Sequence, residues 1–143
     1  MQASNWSRIA LLVGAVLPLA ACAGGSDPSE AVEPATIEAV AGSKYSQITL
    51  TQEAATRLDL QTARVVSAAG AKAIPYASVL YSTTGEAYAY VSPRPLTFVR
   101  ELIVVARIDG DRAILSSGPP VGTTVATVGV VELYGAESGL GGH

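Results

Sequence analysis

The chain has 143 residues, 49% of them hydrophobic and 15% charged, with a net charge of −3 and a mean hydropathy of +0.36. Nine bases against twelve acids make a poor counter-surface for nucleic acid. One Cys excludes an internal disulfide and a Cys-rich zinc site, one His excludes a multi-histidine metal site, and no apolar run reaches the roughly 18–20 residues of an ordinary spanning helix.

Residues 1–21 have the layout of a secretory signal. Arg8 supplies the basic start, and Ile9 to Ala21 form a short apolar core. The core ends in Leu19-Ala20-Ala21-Cys22, which resembles the bacterial lipobox, where small residues precede a lipidated Cys. The resemblance implies cleavage before Cys22 and a diacylglyceryl thioether on its sulfur. Two acyl chains meet the requirement for stable anchoring, since each buried CH₂ contributes only about 0.8 kcal/mol. The expected location is the cell envelope, on the extracytoplasmic face of a membrane, inner or outer.

Residues 22–43 are rich in Gly, Ser, Pro and Ala and carry Asp27, Glu30, Glu33 and Glu38. They show neither a period of 2 nor one of 3.6, so they read as a flexible acidic tether. From Lys44 onward eight bases balance eight acids. The negative charge of the processed chain therefore belongs to the tether, and the folded unit, expected over 44–137, is neutral.

Tyr45 to Leu50 is strand-like. Thr51 is an N-cap residue, and Gln52 to Leu58 follows as a short helix facing inward through Ala54, Ala55 and Leu58. Leu60 to Val66 returns to strand, Ala68 to Ala71 is a turn, and Lys72 to Ile74 leads into Pro75. Tyr76 to Tyr81 is ambiguous between strand and helical turn. After the turn at Ser82 to Gly85, Glu86 to Val91 alternates, with Tyr88 and Tyr90 on one face and Ala87, Ala89 and Val91 on the other. Pro93 and Pro95 are expected to end that strand.

Thr97 to Ile108 exceeds the usual strand length, so a bend or bulge is expected near Arg100-Glu101. Asp109-Gly110 is the strongest hairpin signal in the chain, and Arg112 to Ser116 pairs back. A Gly-Pro turn over 118–122 precedes strand Thr123 to Val128. One helical turn at Val131-Glu132-Leu133 closes the unit, and 138–143 read as a flexible tail. Six or seven short strands with closely spaced turns and one short helix predict an all-β fold, a small barrel or sandwich.

Two stretches carry a family resemblance. Ile48-Thr49-Leu50-Thr51-Gln52-Glu53 through Leu60-Gln61-Thr62-Ala63-Arg64-Val65 resembles the lead-in of periplasmic adaptor subunits of bacterial efflux pumps, the membrane-fusion or HlyD-like family. Asp59 stands where that pattern commonly has Gly. The second stretch runs from Ile74-Pro75 through Ala87-Tyr88-Ala89-Tyr90-Val91 to Gly122-Thr123-Thr124-Val125, and is similar to the adaptors' membrane-proximal domain, with Thr123 in place of the usual Asp. Together they cover about residues 46–137.

Full-length adaptors carry a lipoyl-like domain and a long helical hairpin between these stretches. Here Arg64-Val65-Val66 runs almost directly into Ile74-Pro75, and no heptads occur. The resemblance therefore implies a reduced adaptor, with an inner-membrane transporter as partner and no cofactor.

No Gly-x-Ser-x-Gly, His-Glu-x-x-His or Walker motif is present, and the one His is the terminal His143, so no enzyme activity is expected. Asp109 and Asp111 are turn residues before they are metal ligands. Arg94, Arg100, Arg107 and Arg112 are candidates for a docking face, against the plainer reading of solvated edge charges. Tyr76, Tyr81, Tyr88 and Tyr90 are candidates for a ligand groove, against that of rings buried with wet hydroxyls. The alternative function is a small-ligand or metal-binding lipoprotein using the tyrosines or the Asp109–Asp111 loop.

Overall fold

The alternation between Ala87 and Val91 gives one strand two different faces, and the fold is built around that strand. The structure, a computed structural model, describes residues 32–139. All of the expected signal at 1–21, with Leu19 to Ala21, then Cys22 and the first part of the expected tether to residue 31, and residues 140–143, lie outside the described residues.

The strands are β1 (Ala35–Ala39), β2 (Ser46–Leu50), β3 (Gln61–Arg64), β4 (Val66–Ala68), β5 (Ala71–Pro75), β6 (Leu80–Tyr81), β7 (Ala87–Arg94), β8 (Thr97–Asp109), β9 (Arg112–Ser117) and β10 (Thr124–Val128). Two helices, α1 (Gln52–Arg57) and α2 (Val130–Glu137), and one 3₁₀ turn at Tyr76–Ser78 complete the domain. The sheet order is β3-β10-β7-β8-β9-β5-β4, with β2 on β8, β1 on β2 and β6 on β7. All the pairings are antiparallel. β3 and β4, the two ends of this path, are consecutive in the chain and separated only by Val65, which is buried. The sheet therefore curls back on itself as a half-barrel, and the all-β, barrel-like expectation holds.

Each face of β7–β8 has its own core. Ala87, Ala89 and Ile103 pack inside the half-barrel with Val65, Ile74, Ala113, Leu115 and Val125. Tyr90 and Phe98 point the other way and pack with Ile48, Leu50, Ala126 and the two helices. Phe98 lies directly opposite Ile48 of β2, a pairing that puts both side chains on one face.

Several local expectations hold. Thr51 Oγ1 accepts from the Ala54 N–H at 3.1 Å and caps α1, an interaction of about 1 kcal/mol. Gly110, at φ 61°, makes the β8–β9 hairpin turn.

Others are corrected. Part of the segment read as a tether is β1, which pairs with β2 over its whole length, so the folded unit begins well before Lys44. β7 does not end before Pro93 but continues to Arg94, through a register irregularity that spares the proline a ladder bond. β8 is in register with β7 at Arg100-Glu101. Its irregularities lie between Val104 and Arg107, where β9 takes over as partner. The closing turn is a two-turn helix, α2. Its N-cap is Gly129 at φ 86°, where a Cβ would also stand 2.9 Å from Leu60 Cδ1.

Candidate functional site

The candidate residues do not gather in one place. Tyr90 and Arg100 face each other across β7–β8, with Leu102 opposite Tyr88 one step further along. Tyr88 and Tyr90 are buried. Tyr81 pairs with Ala87, so it belongs to the opposite face of the ladder, and both Tyr76 and Tyr81 are exposed. The four tyrosines therefore line no common groove, because residues one apart on a strand point to opposite faces.

The four arginines also divide. Arg94 sits in the β7–β8 hairpin opposite Thr97, whereas Arg107 and Arg112 flank the β8–β9 hairpin. The ends of β8 are about 40 Å apart along the strand. Arg107 lies 3.9 Å from Asp109 in an exposed ion pair of little energetic weight.

Arg100 is not a surface charge. Its Nε lies 3.1 Å from Glu137 Oε2, and its Nη2 donates to Glu137 Oε1 at 3.3 Å. Only 16% of the Arg100 side chain and 6% of the Glu137 side chain are exposed. The guanidinium carbon stands 4.6 Å from the Tyr45 ring centre, 4.9 Å from Tyr88 and 5.3 Å from Tyr134. A weakly hydrated guanidinium suits such an aromatic cage. Glu137 also accepts from the Tyr90 hydroxyl at 2.6 Å and from the Ser46 N–H at 3.4 Å.

Burial, and then the hydrogen bond donated to Glu137, hold the Tyr90 phenol far above its ordinary pKa, so it stays a neutral donor. A second chain of bonds runs along the rim. Tyr45 donates to the Tyr88 hydroxyl at 3.4 Å, and Tyr88 donates to Glu86 at 2.9 Å. The bonds from Tyr88 and Thr84 lower the Glu86 pKa. The bond from Tyr45, with desolvation and Glu86, raises that of Tyr88. The Tyr45, Tyr88 and Tyr90 hydroxyls and Arg100 Nη2 all donate within the cluster, while the buried Arg100 Nε is held by ion pairing to Glu137 without an aligned hydrogen bond. The chemistry of the cluster is that of a latch fixing the last turn of α2 to β7 and β8.

Among the described residues no group of three or more His, Cys, Asp or Glu side chains converges as a metal site. Asp109 pairs with Arg107, and the Asp111 carbonyl accepts from the Tyr76 N–H at 2.7 Å, as turn residues do.

The sequence reading missed one feature, a groove between α1 and α2. It has a volume of about 330 Å³ and opens beside Pro34 and Ala35 at the start of β1. The available signal was the run of small residues in both helices, Ala54 and Ala55 in α1 and Gly135 and Ala136 in α2.

Comparison with family models, with curated proteins and with solved structures returns no match.

Proposed function

We propose that this chain is a lipid-anchored, non-enzymatic module of the cell envelope that docks onto an inner-membrane transporter in the manner of a reduced efflux adaptor. Cys22 carries the anchor. The lipid concentrates the domain at the membrane, so a weak contact with the transporter suffices. The one observation that supports the reading is the sheet order β3-β10-β7. It joins the two resembling stretches in one sheet, where separate units would have spoken against it. The short β4–β5 hairpin, Val66 to Pro75, stands where an adaptor would carry its inserted domains.

The docking surface in this proposal is the β8–β9 hairpin, where Arg107 and Arg112 flank an exposed Ile108. Arg94, at the other end of β8, is too distant to share it, and Arg100 is engaged by Glu137. The test is mild crosslinking in cells followed by co-purification. The expected result is recovery of a transporter subunit with the wild type, and recovery lowered severalfold by Arg107→Glu with Arg112→Glu. Absence of any membrane partner sinks the proposal. Labelling with radioactive palmitate tests the anchor separately, with loss of label expected for Cys22→Ala.

A further inference from the structure

The groove between α1 and α2 is apolar. Leu50 and Leu133 form its floor, and Ala54, Leu58, Gly135 and Ala136 form its walls. A Cβ added at Gly135 would meet nothing within 4 Å, so the space there is open. The charged groups are Arg57 and Glu132, both exposed at the rim. At about 330 Å³ the groove falls at the lower end of sites that hold small ligands, about 300–1,000 Å³. A site with so few inward polar groups selects an alkyl chain over a hydrogen-bonding ligand.

We propose that this groove holds one acyl chain of the lipid carried by Cys22. The proposal rests on the lipid-anchor reading above. The occupant follows from where the chain enters the domain. Pro34 and Ala35 are both the first residues before and within β1 and the lip of the groove. Residues 22 to 34 span at most about 40 Å, so the thioether is tethered within that reach of the groove's lip. A group tethered at that range meets its site at an effective concentration of about millimolar, enough to occupy a weak one.

Inside a bilayer the chain gains nothing by moving, because lipid and groove are equally apolar. In water it gains by burying each methylene. The groove therefore fills when the protein is away from the bilayer. By stabilising the form that has left the bilayer, it also weakens membrane attachment.

The test uses the full-length lipoprotein, purified after cells have incorporated palmitic acid bearing a diazirine. The detergent is diluted below its critical micelle concentration and the sample irradiated. Expected are intramolecular crosslinks from the Cys22 lipid to peptides spanning 50–58 and 130–137. Gly135→Leu fills the groove while improving helix propensity. It should reduce those crosslinks at least fivefold and turn a monomeric protein into an aggregating one under dilution.

The intact mass at Cys22 separates the two readings. A lipidated protein whose crosslinks fall elsewhere, or are unchanged in Gly135→Leu, overturns the groove alone. Crosslinks shown by mixed isotope labelling to join two molecules also overturn it. An unmodified Cys22 overturns both the groove and the anchor.

Discussion

The two cores share strands β7 and β8 yet are stabilised differently. Inside the half-barrel the cluster is entirely aliphatic, with alanines at 87, 89 and 113 where the curled sheet leaves little room. Under the helices the same strands present Tyr90 and Phe98, and the packing ends in the ion pair of Arg100 with Glu137. Shape alone specifies the first core. A helix lying on a sheet can slide, and the second core adds directional bonds that fix α2 in one place. The lesson is that polar groups are used where position is otherwise undetermined, and omitted where the curl of the sheet already sets it.

Ile103→Ala tests the aliphatic core most severely. Ile103 is 2% exposed, and its side chain stands close to Gly118, where a Cβ would lie 3.1 Å from Ile103 Cγ2. Truncation leaves a cavity that the curled sheet fills poorly, at a cost of about 3 kcal/mol. Urea denaturation should show one cooperative transition at a lower midpoint. A loss under about 1 kcal/mol would mean that the interior collapses freely and is not set by shape.

Glu137→Ala tests the latch. It strands the Arg100 guanidinium in its aromatic cage and leaves the Tyr90 hydroxyl without its acceptor. The expected cost is about 2 kcal/mol, with faster amide exchange in α2 and little change in β9. Adding Arg100→Met should recover part of the loss, since an apolar replacement for a buried charge removes the stranded cation. Unchanged protection of α2 would show that apolar packing through Leu133 and Val130 is sufficient.

What the sequence disclosed follows the same division. Strand alternation at 87–91, the Thr51 cap and the Asp109-Gly110 turn are local signals, and each produces the element it implies. β1 was hidden because its only large apolar residue is Ile37 and most of the strand is exposed; it forms because β2 offers it an edge. The irregularities of β8 depend on where β9 takes over, which no residue within β8 encodes. Gly135 interrupts the pattern of α2, so only one of its two turns is legible in the sequence. Arg100 read as a surface charge because its partner lies 37 residues away on another element. Leu19-Ala20-Ala21-Cys22, whose likeness to a lipobox is the sharpest functional signal in the chain, falls outside the described residues.

Glu101→Gln is the mildest test, and its sign is opposite to the others. Glu101 lies across from Ala89, on the face that looks into the aliphatic core. Burial raises its pKa, and the charge of Lys72 opposes the rise only in part. A carboxyl with a raised folded pKa binds its proton more tightly in the native state than in the unfolded chain. Stability is then highest at acid pH, falls as pH rises from the ordinary glutamate value through the folded one, and is level above it. Gln removes that titration. The two proteins should match at acid pH and separate by pH 7, with the variant slightly the more stable because solvent screening keeps the wild-type penalty small. Denaturation midpoints over a pH series read this directly. Curves that stay parallel would mean that the Glu101 carboxylate is fully solvated and that the aliphatic core is free of even this one charge.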